Sequence, residues 1–297
     1  MTTATTTAPT TTARHPKKKK GVEQLGGRRW LSTLGIILIV VYCLAPFYWM
    51  VASALRQPND QADNSFFPSP LSFENFAAVF GPGVGFGRNL LNSVIVAGVT
   101  TLLTLIFGTF AAYTLARLNF RFKNLVAGII IATAMFPSVS IVVPLLKLFT
   151  DIGWINTYQA MILPSLSFAL PLAVWTLATF FRQMPKELEE AAMVDGLTRG
   201  QAFRKVIIPL AAPGMFTTAI ITFIAAWNEF IFALSMVNEK TMKTATVAIS
   251  QFTGISGFDS PFGTKMAAGV VVTVPLVIVV LIFQRRIIAG LTAGGVK

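Results

Sequence analysis

Residues 181–214 read FRQMPKELEEAAMVDGLTRGQAFRKVIIPLAAPG, a polar stretch set between long apolar runs. Its composition predicts two short helices rather than an irregular loop. Pro185 suits the first position of a helix, where its missing N–H leaves no bond unmade. Glu187, Glu189 and Glu190 then set negative charge near the positive end of the helix dipole. Gly196 fits the left-handed residue just past a helix end. Thr198 and Gln201 have the spacing of a capping box for a second helix, which carries Phe203, Val206 and Ile207 on one face and stops at Pro209. A loop with this much built-in order reads as a docking surface. The rival is an amphipathic hairpin lying on lipid, but such helices present a basic polar face and the first of these is acidic.

On both sides of this stretch the chain turns apolar. Of 297 residues, 54% are hydrophobic and 12% charged, which excludes an ordinary soluble domain. Uncharged runs at 30–55, 89–116, 124–146 and 152–181, and the stretches 206–228 (extending through 237) and 266–284, are each long enough to span a bilayer, so the fold class is an all-α membrane protein with six transmembrane helices. Pro137, Pro144, Pro164, Pro171 and Pro275 fall in or near these runs, and kinks are expected there. The first run is too long for a signal-peptide core, and its Phe47, Tyr48 and Trp49 suit a membrane interface. It reads as an uncleaved first span.

Basic residues set the orientation. With the N-terminus in the cytoplasm, 18 Lys and Arg fall on the inside segments and six outside. The positive-inside rule therefore puts both termini and the 181–214 stretch in the cytoplasm of a multi-pass plasma-membrane protein. Residues 1–29 form a disordered tail ending in a basic cluster, and 30–88 the first span with an extracytoplasmic loop. Residues 89–297 form the core, with a cytoplasmic loop at 182–212. The net charge of +12 is spread over the ends of apolar runs, which favours membrane lipid and not nucleic acid as its partner.

Little here can do covalent chemistry. One cysteine, Cys43, lies in an apolar run, and one histidine, His15, in the tail, so neither a disulfide nor a His/Cys metal site is available within the chain. Gly83, Gly85 and Gly87 lack the Lys-Ser or Lys-Thr of a phosphate loop. No paired carboxylates or nucleophile–base set appears, which argues against a membrane-embedded enzyme. Trp227-Asn228-Glu229-Phe230 is the other unusual element. A carboxylate inside a span is expensive, so Glu229 should face the bundle interior or water. Aromatic rings beside hydrogen-bonding groups suit a sugar, and the four residues are a candidate substrate pathway. A structural hydrogen bond between helices explains them equally well.

The run Glu190-Ala191-Ala192, followed by Asp195-Gly196 and Ile208-Pro209-Leu210, resembles the EAA loop of ATP-binding-cassette importer permeases. The stretch Ala134-Met135-Phe136-Pro137 and the closing Gly290–Lys297 segment are similar to the maltose-type carbohydrate permeases, especially their actinobacterial trehalose-importing branch. The resemblance implies the type I importer permease fold. It implies ATPase coupling through Glu189, Glu190, Ala191, Ala192, Asp195, Gly196 and Pro209, with Glu190 orienting the loop by hydrogen bonds. The implied partners are a second, different permease subunit, two ATPase subunits that bind ATP and Mg, and an extracytoplasmic substrate-binding protein. No cofactor is then held by this chain. By position, Gln251, Phe252, Thr253 and Gly254 are candidate contacts for that binding protein. The alternative is an ion-coupled secondary sugar transporter, which would want more intramembrane acids and a repeat between halves.

Overall fold

The computed structural model describes residues 26–60, 65–81, 84–252 and 261–293; of these, the side chains of 26–29, 59 and 285–293 are not described. The N-terminal tail, Thr253 and Gly254 lie outside the described residues. Among the described residues the only regular structure is helical: α1 (Gly26–Ala54), α2 (Glu74–Val79), α3 (Phe86–Arg117), α4 (Lys123–Ala134), α5 (Val142–Asp151), α6 (Tyr158–Gln183), α7 (Glu187–Val194), α8 (Arg199–Ala202), α9 (Ile208–Trp227), α10 (Ile231–Met236), α11 (Ala245–Ser250) and α12 (Phe262–Ala293).

Five helical stretches among the described residues are long and apolar enough to cross a membrane, or six if the bent pair α4–α5 counts as one span. The chain divides at Trp49–Met50 into two units. In the first, the α1 residues Leu31, Leu34, Ile37, Leu38 and Val41 are all exposed, as suits a helix bathed in lipid or covered by another subunit.

The second unit is built on α3, whose 32 residues extend about 48 Å at 1.5 Å per residue. It packs chiefly on α6 and α9. Small residues allow the close approach: Gly108 of α3 faces Ala173 and Leu177, and Gly214 of α9 lies under the Phe180 ring. One core cluster gathers Ala112, Tyr113, Leu177, Phe181, Phe203 and Ile207 at one end of this three-helix centre. Another joins Val96, Met161, Ala233, Val237 and Val247 toward the other end. Asn75 stitches α2 to both flanks, donating to the carbonyls of Ala54 at 3.1 Å and Arg56 at 2.7 Å while accepting from Thr264.

Two expectations from sequence need correction, and a third is sharpened. The kink expected at Pro137 is a break, with α4 and the helical segment that follows meeting at 89°. Proline cannot donate to the preceding turn and pushes residue 136 out of helical geometry. The 152–181 run begins as a turn, with Gly153 at φ +72° and Asn156 at φ +62°, and becomes helical only at Tyr158. Pro209 does not stop a helix. The chain runs helically from Arg199 to Trp227, and a π turn at Phe203–Ile207 widens the backbone just before the proline. That widening relieves the clash between the proline ring and the carbonyl four residues earlier.

Candidate functional site

The polar stretch between α6 and α9 folds as a helical hairpin, α7 then α8. Pro185 stands just outside α7, with Lys186 at the cap position. At the other end Gly196 has φ +87°, its N–H bonds the Met193 carbonyl and Leu197 N–H bonds Ala192, both at 3.1 Å. This is a Schellman closure, and the left-handed residue it needs is far cheaper as glycine. Thr198 and Gln201 form a full capping box, with bonds of 2.8 and 3.3 Å. Local sequence therefore dictates the sharp turn.

Which faces point outward follows from helix phase. Glu187, Glu190, Ala191 and Asp195 are exposed, whereas Glu189 and Ala192 are buried. Glu189 accepts a 2.6 Å hydrogen bond from the Tyr113 hydroxyl of α3, and Arg199 Nε lies 3.7 Å from the same carboxylate. The hydrogen bond from α3 to α7 thus lands on Glu189, while its neighbour Glu190 faces outward. Arg117, one turn beyond Tyr113, donates to the Met184 carbonyl at 2.9 Å and fixes the segment leading into α7. The outer surface is two-toned: acidic on α7, then basic at Arg199, Arg204 and Lys205, the last two lining an open depression with Thr198, Gly200 and Gln201. Pro209 is exposed behind it.

At the opposite end of α3 the segment from Val237 to Phe252 is fastened by asparagines. Asn89 donates to the carbonyls of Lys240 and Lys243, both at 2.9 Å. Asn92 donates to Thr241 at 2.8 Å and Lys243 at 3.0 Å, and accepts from Tyr158 OH at 2.8 Å. Ser93 accepts from Ala245 N–H at 2.8 Å. Asn156, in its left-handed conformation, accepts from Asn238 N–H at 2.6 Å and Glu239 N–H at 3.0 Å. Gln251 is exposed and bonded to Lys243, while Phe252 packs edge-on against Phe86 with ring centroids 6.1 Å apart. Phe252 and Gln251 border a cavity of about 150 Å³ with Asn89, Lys240 and Lys243.

Of the four residues from Trp227 to Phe230, Glu229 lines a cavity. Trp227 is 2% exposed and packed in the core against Phe223, with ring centroids 5.7 Å apart. Asn228 bonds back to the Ile224 carbonyl at 2.8 Å, and Phe230 is half-buried. Glu229 caps α10, accepting from Phe232 N–H at 2.7 Å and Ala233 N–H at 3.1 Å. It also lines a cavity of about 240 Å³ between α6 and α9, with Ser138, Ser165 and Thr222 as further polar groups. The half-buried Phe168 lines the same cavity and packs against the buried Phe232, with ring centroids 5.7 Å apart.

Sequence reasoning missed Tyr113, Arg117, Asn89, Asn92 and Asn156. The available signal was a polar residue near each end of an apolar run, which must find a partner when the end is buried. Among the described residues no group of three or more His, Cys, Asp or Glu could hold a metal ion.

The family model described as "Binding-protein-dependent transport system inner membrane component" matches residues 104–292. The chain is 46% identical over 260 residues to the trehalose transport system permease protein SugB of Mycobacterium tuberculosis, covering 88% of this chain and 94% of that one. It is 41% identical over 276 residues to the trehalose/maltose transport system permease protein MalG of Thermococcus litoralis, covering 91% and 97%. A crystal structure of a bacterial ABC transporter involved in the import of the acidic polysaccharide alginate has a chain of the same fold. Its TM-score is 0.73 at 19% identity, over 88% of this chain and 97% of that one, a likeness that speaks for the fold alone. The EAA-type hairpin between its spans, the family match and the extent of these identities together make this chain a member of the binding-protein-dependent transport system inner membrane components, the multi-pass, non-catalytic permease subunits of ABC importers.

Proposed function

We propose that the chain is one of two different permease subunits of an importer for a disaccharide of the trehalose or maltose type. Two ATPase subunits, holding ATP and Mg, dock on the α7–α8 hairpin in the cytoplasm, and both termini lie on that side. A substrate-binding protein docks at the asparagine-fastened end, near Gln251 and Phe252. The reading draws on the identities to sugar permeases and on the positive-inside count of 18 basic residues against six. The observation that carries it is the hairpin itself: its Schellman turn and capping box present Glu190, Ala191 and Asp195 to a partner, while Glu189 and Ala192 hold it to the bundle.

In this mechanism ATP binding draws the two ATPases together and pushes the hairpin, and the helices exchange outward and inward openings. The energy comes from the different affinities of the ATPases for the two states. Sugar passes beside Glu229. Its carboxylate, already fixed by two backbone N–H groups, keeps lone pairs for sugar hydroxyls, and Ser165 and Thr222 add further polar atoms. Phe168 offers apolar surface to the ring faces.

The test is purification from native membranes followed by uptake in vesicles. An ATPase, a second permease and a binding protein should co-purify, and radiolabelled trehalose uptake should stop on ATP depletion but survive collapse of ion gradients. Gly196→Asp should leave the chain inserted and the complex formed, yet abolish uptake. Uptake that followed an ion gradient, by a chain purified alone, would favour a secondary transporter.

A further inference from the structure

We propose that Tyr113 is a positioning residue for energy coupling: its hydroxyl fixes Glu189, and through it the α7 surface, to the far end of α3. This rests on the reading of the α7–α8 hairpin as the ATPase dock. Polar bonds carry much of what holds α7: Leu188 is 40% and Val194 88% exposed, and Met193 is half-buried, so its larger apolar side chains anchor it only in part. Two residues turn fully inward, Glu189 and the small Ala192. A push on α7 therefore reaches the bundle through the Tyr113–Glu189 bond of 2.6 Å, through Arg117 on the Met184 carbonyl, through its packing against the π turn at Phe203–Ile207, and along the chain into α8. The first two end on the last turns of the same helix.

The phenol is well placed to carry that load. Its ring packs against Phe203, with centroids 4.3 Å apart, and edge-on to Phe181 at 6.0 Å. It cannot swing without disturbing α6 and the π turn together. A buried carboxylate accepting a short O–H bond is held more firmly than by a neutral pair, and releasing it leaves a buried charge without a donor. Arg199, 3.7 Å away and mostly exposed, is the group that could take over the carboxylate if the hairpin moved.

The experiment uses the whole transporter, with partner permease, ATPases and binding protein, in vesicles supplied with radiolabelled trehalose and ATP. The readout is sugar moved per ATP hydrolysed, which a merely structural role would leave unchanged while lowering the yield of complex. Tyr113→Phe keeps the ring and removes the hydroxyl; the ratio should fall about fivefold or more, the lower bound of ordinary coupling energies. Glu189→Gln keeps an acceptor for the hydroxyl and should retain most of the ratio, whereas Glu189→Leu should match Tyr113→Phe. Because both remove one bond, the double variant should be no worse than either single. If Tyr113→Phe fails to assemble, the Gln and Leu variants at 189 decide the matter by the same ratio. A normal ratio in Tyr113→Phe or Glu189→Leu, or multiplied losses in the double variant, overturns the proposal. Gly196→Asp in the same vesicles separates the two levels. If it uncouples and Tyr113→Phe does not, the latch fails alone; if it too is normal, the docking reading fails.

Discussion

The two ends of α3 are both fastened to a neighbouring loop, but by different chemistry. At its first turns Asn89, Asn92 and Ser93 hold residues 240–245 through five bonds of 2.8–3.0 Å to backbone groups. Every partner there is neutral, and every donor and acceptor is part of a backbone or an amide or hydroxyl. At its last turns a phenol meets one carboxylate, with a mostly exposed arginine beside it. Redundant neutral bonds give a permanent clamp, since losing one leaves the rest in register. A charged latch with a second donor waiting, beside the Arg117 bond to the Met184 carbonyl, gives an attachment that can change partners. The difference suits a protein with one rigid platform and one surface that must move under load.

The largest expected effect comes from breaking the clamp. Asn92 is fully buried and serves three partners, so Asn92→Ala orphans the Thr241 carbonyl and the Tyr158 hydroxyl and leaves the Lys243 carbonyl to Asn89 alone. A loss of about 3 kcal/mol is expected, the cost of buried polar groups left unpaired. Thermal unfolding in detergent, followed by loss of the monodisperse chain, should show it. A midpoint unchanged by Asn92→Ala would mean the loop is held elsewhere, and the contrast between the ends would lose its basis.

A smaller effect serves as the control between the ends. A Cβ on Gly214 would fall 2.5–2.8 Å from the Phe180 ring, forcing the α6–α9 contact apart. Gly214→Ala should destabilise by about 2 kcal/mol, the usual range for overpacking. It touches neither fastening. Sugar moved per ATP should therefore stay near normal in the complex that does assemble; a fall as deep as that of Tyr113→Phe would show that any loosening uncouples.

How much of this was legible in the sequence follows from the range of each interaction. The Gly196 turn and the Thr198–Gln201 box are written in residues three or four apart, and the structure has both. The apolar runs are equally local in their message, and the helices lie close to where hydropathy set them. Pro137 marked the site of a kink, yet the 89° between the two segments depends on what α4 and α5 pack against. Whether Glu189 or Glu190 turns inward is a question of helix phase relative to α3, which only the bundle fixes. The burial of Trp227 was illegible for the same reason, since nothing nearby in the chain says that its ring enters the core. Asn92 and Thr241 are 149 residues apart, beyond any local pattern.

The smallest expected effect sharpens the comparison most. Arg199 is 61% exposed and 3.7 Å from Glu189, so the pair is a weak contributor to stability, within about 1 kcal/mol after solvent screening. Arg199→Gln should leave the unfolding midpoint within a degree or two of normal. If Arg199 only decorates the surface, coupling stays normal too. If it receives the carboxylate when the hairpin shifts, the variant assembles normally but moves less sugar per ATP, and raising the salt concentration mimics it in the native chain by screening the charge. The asparagine clamp, holding no charge, should be indifferent to the same salt. A response at both ends would mean that the two fastenings differ in strength but not in kind.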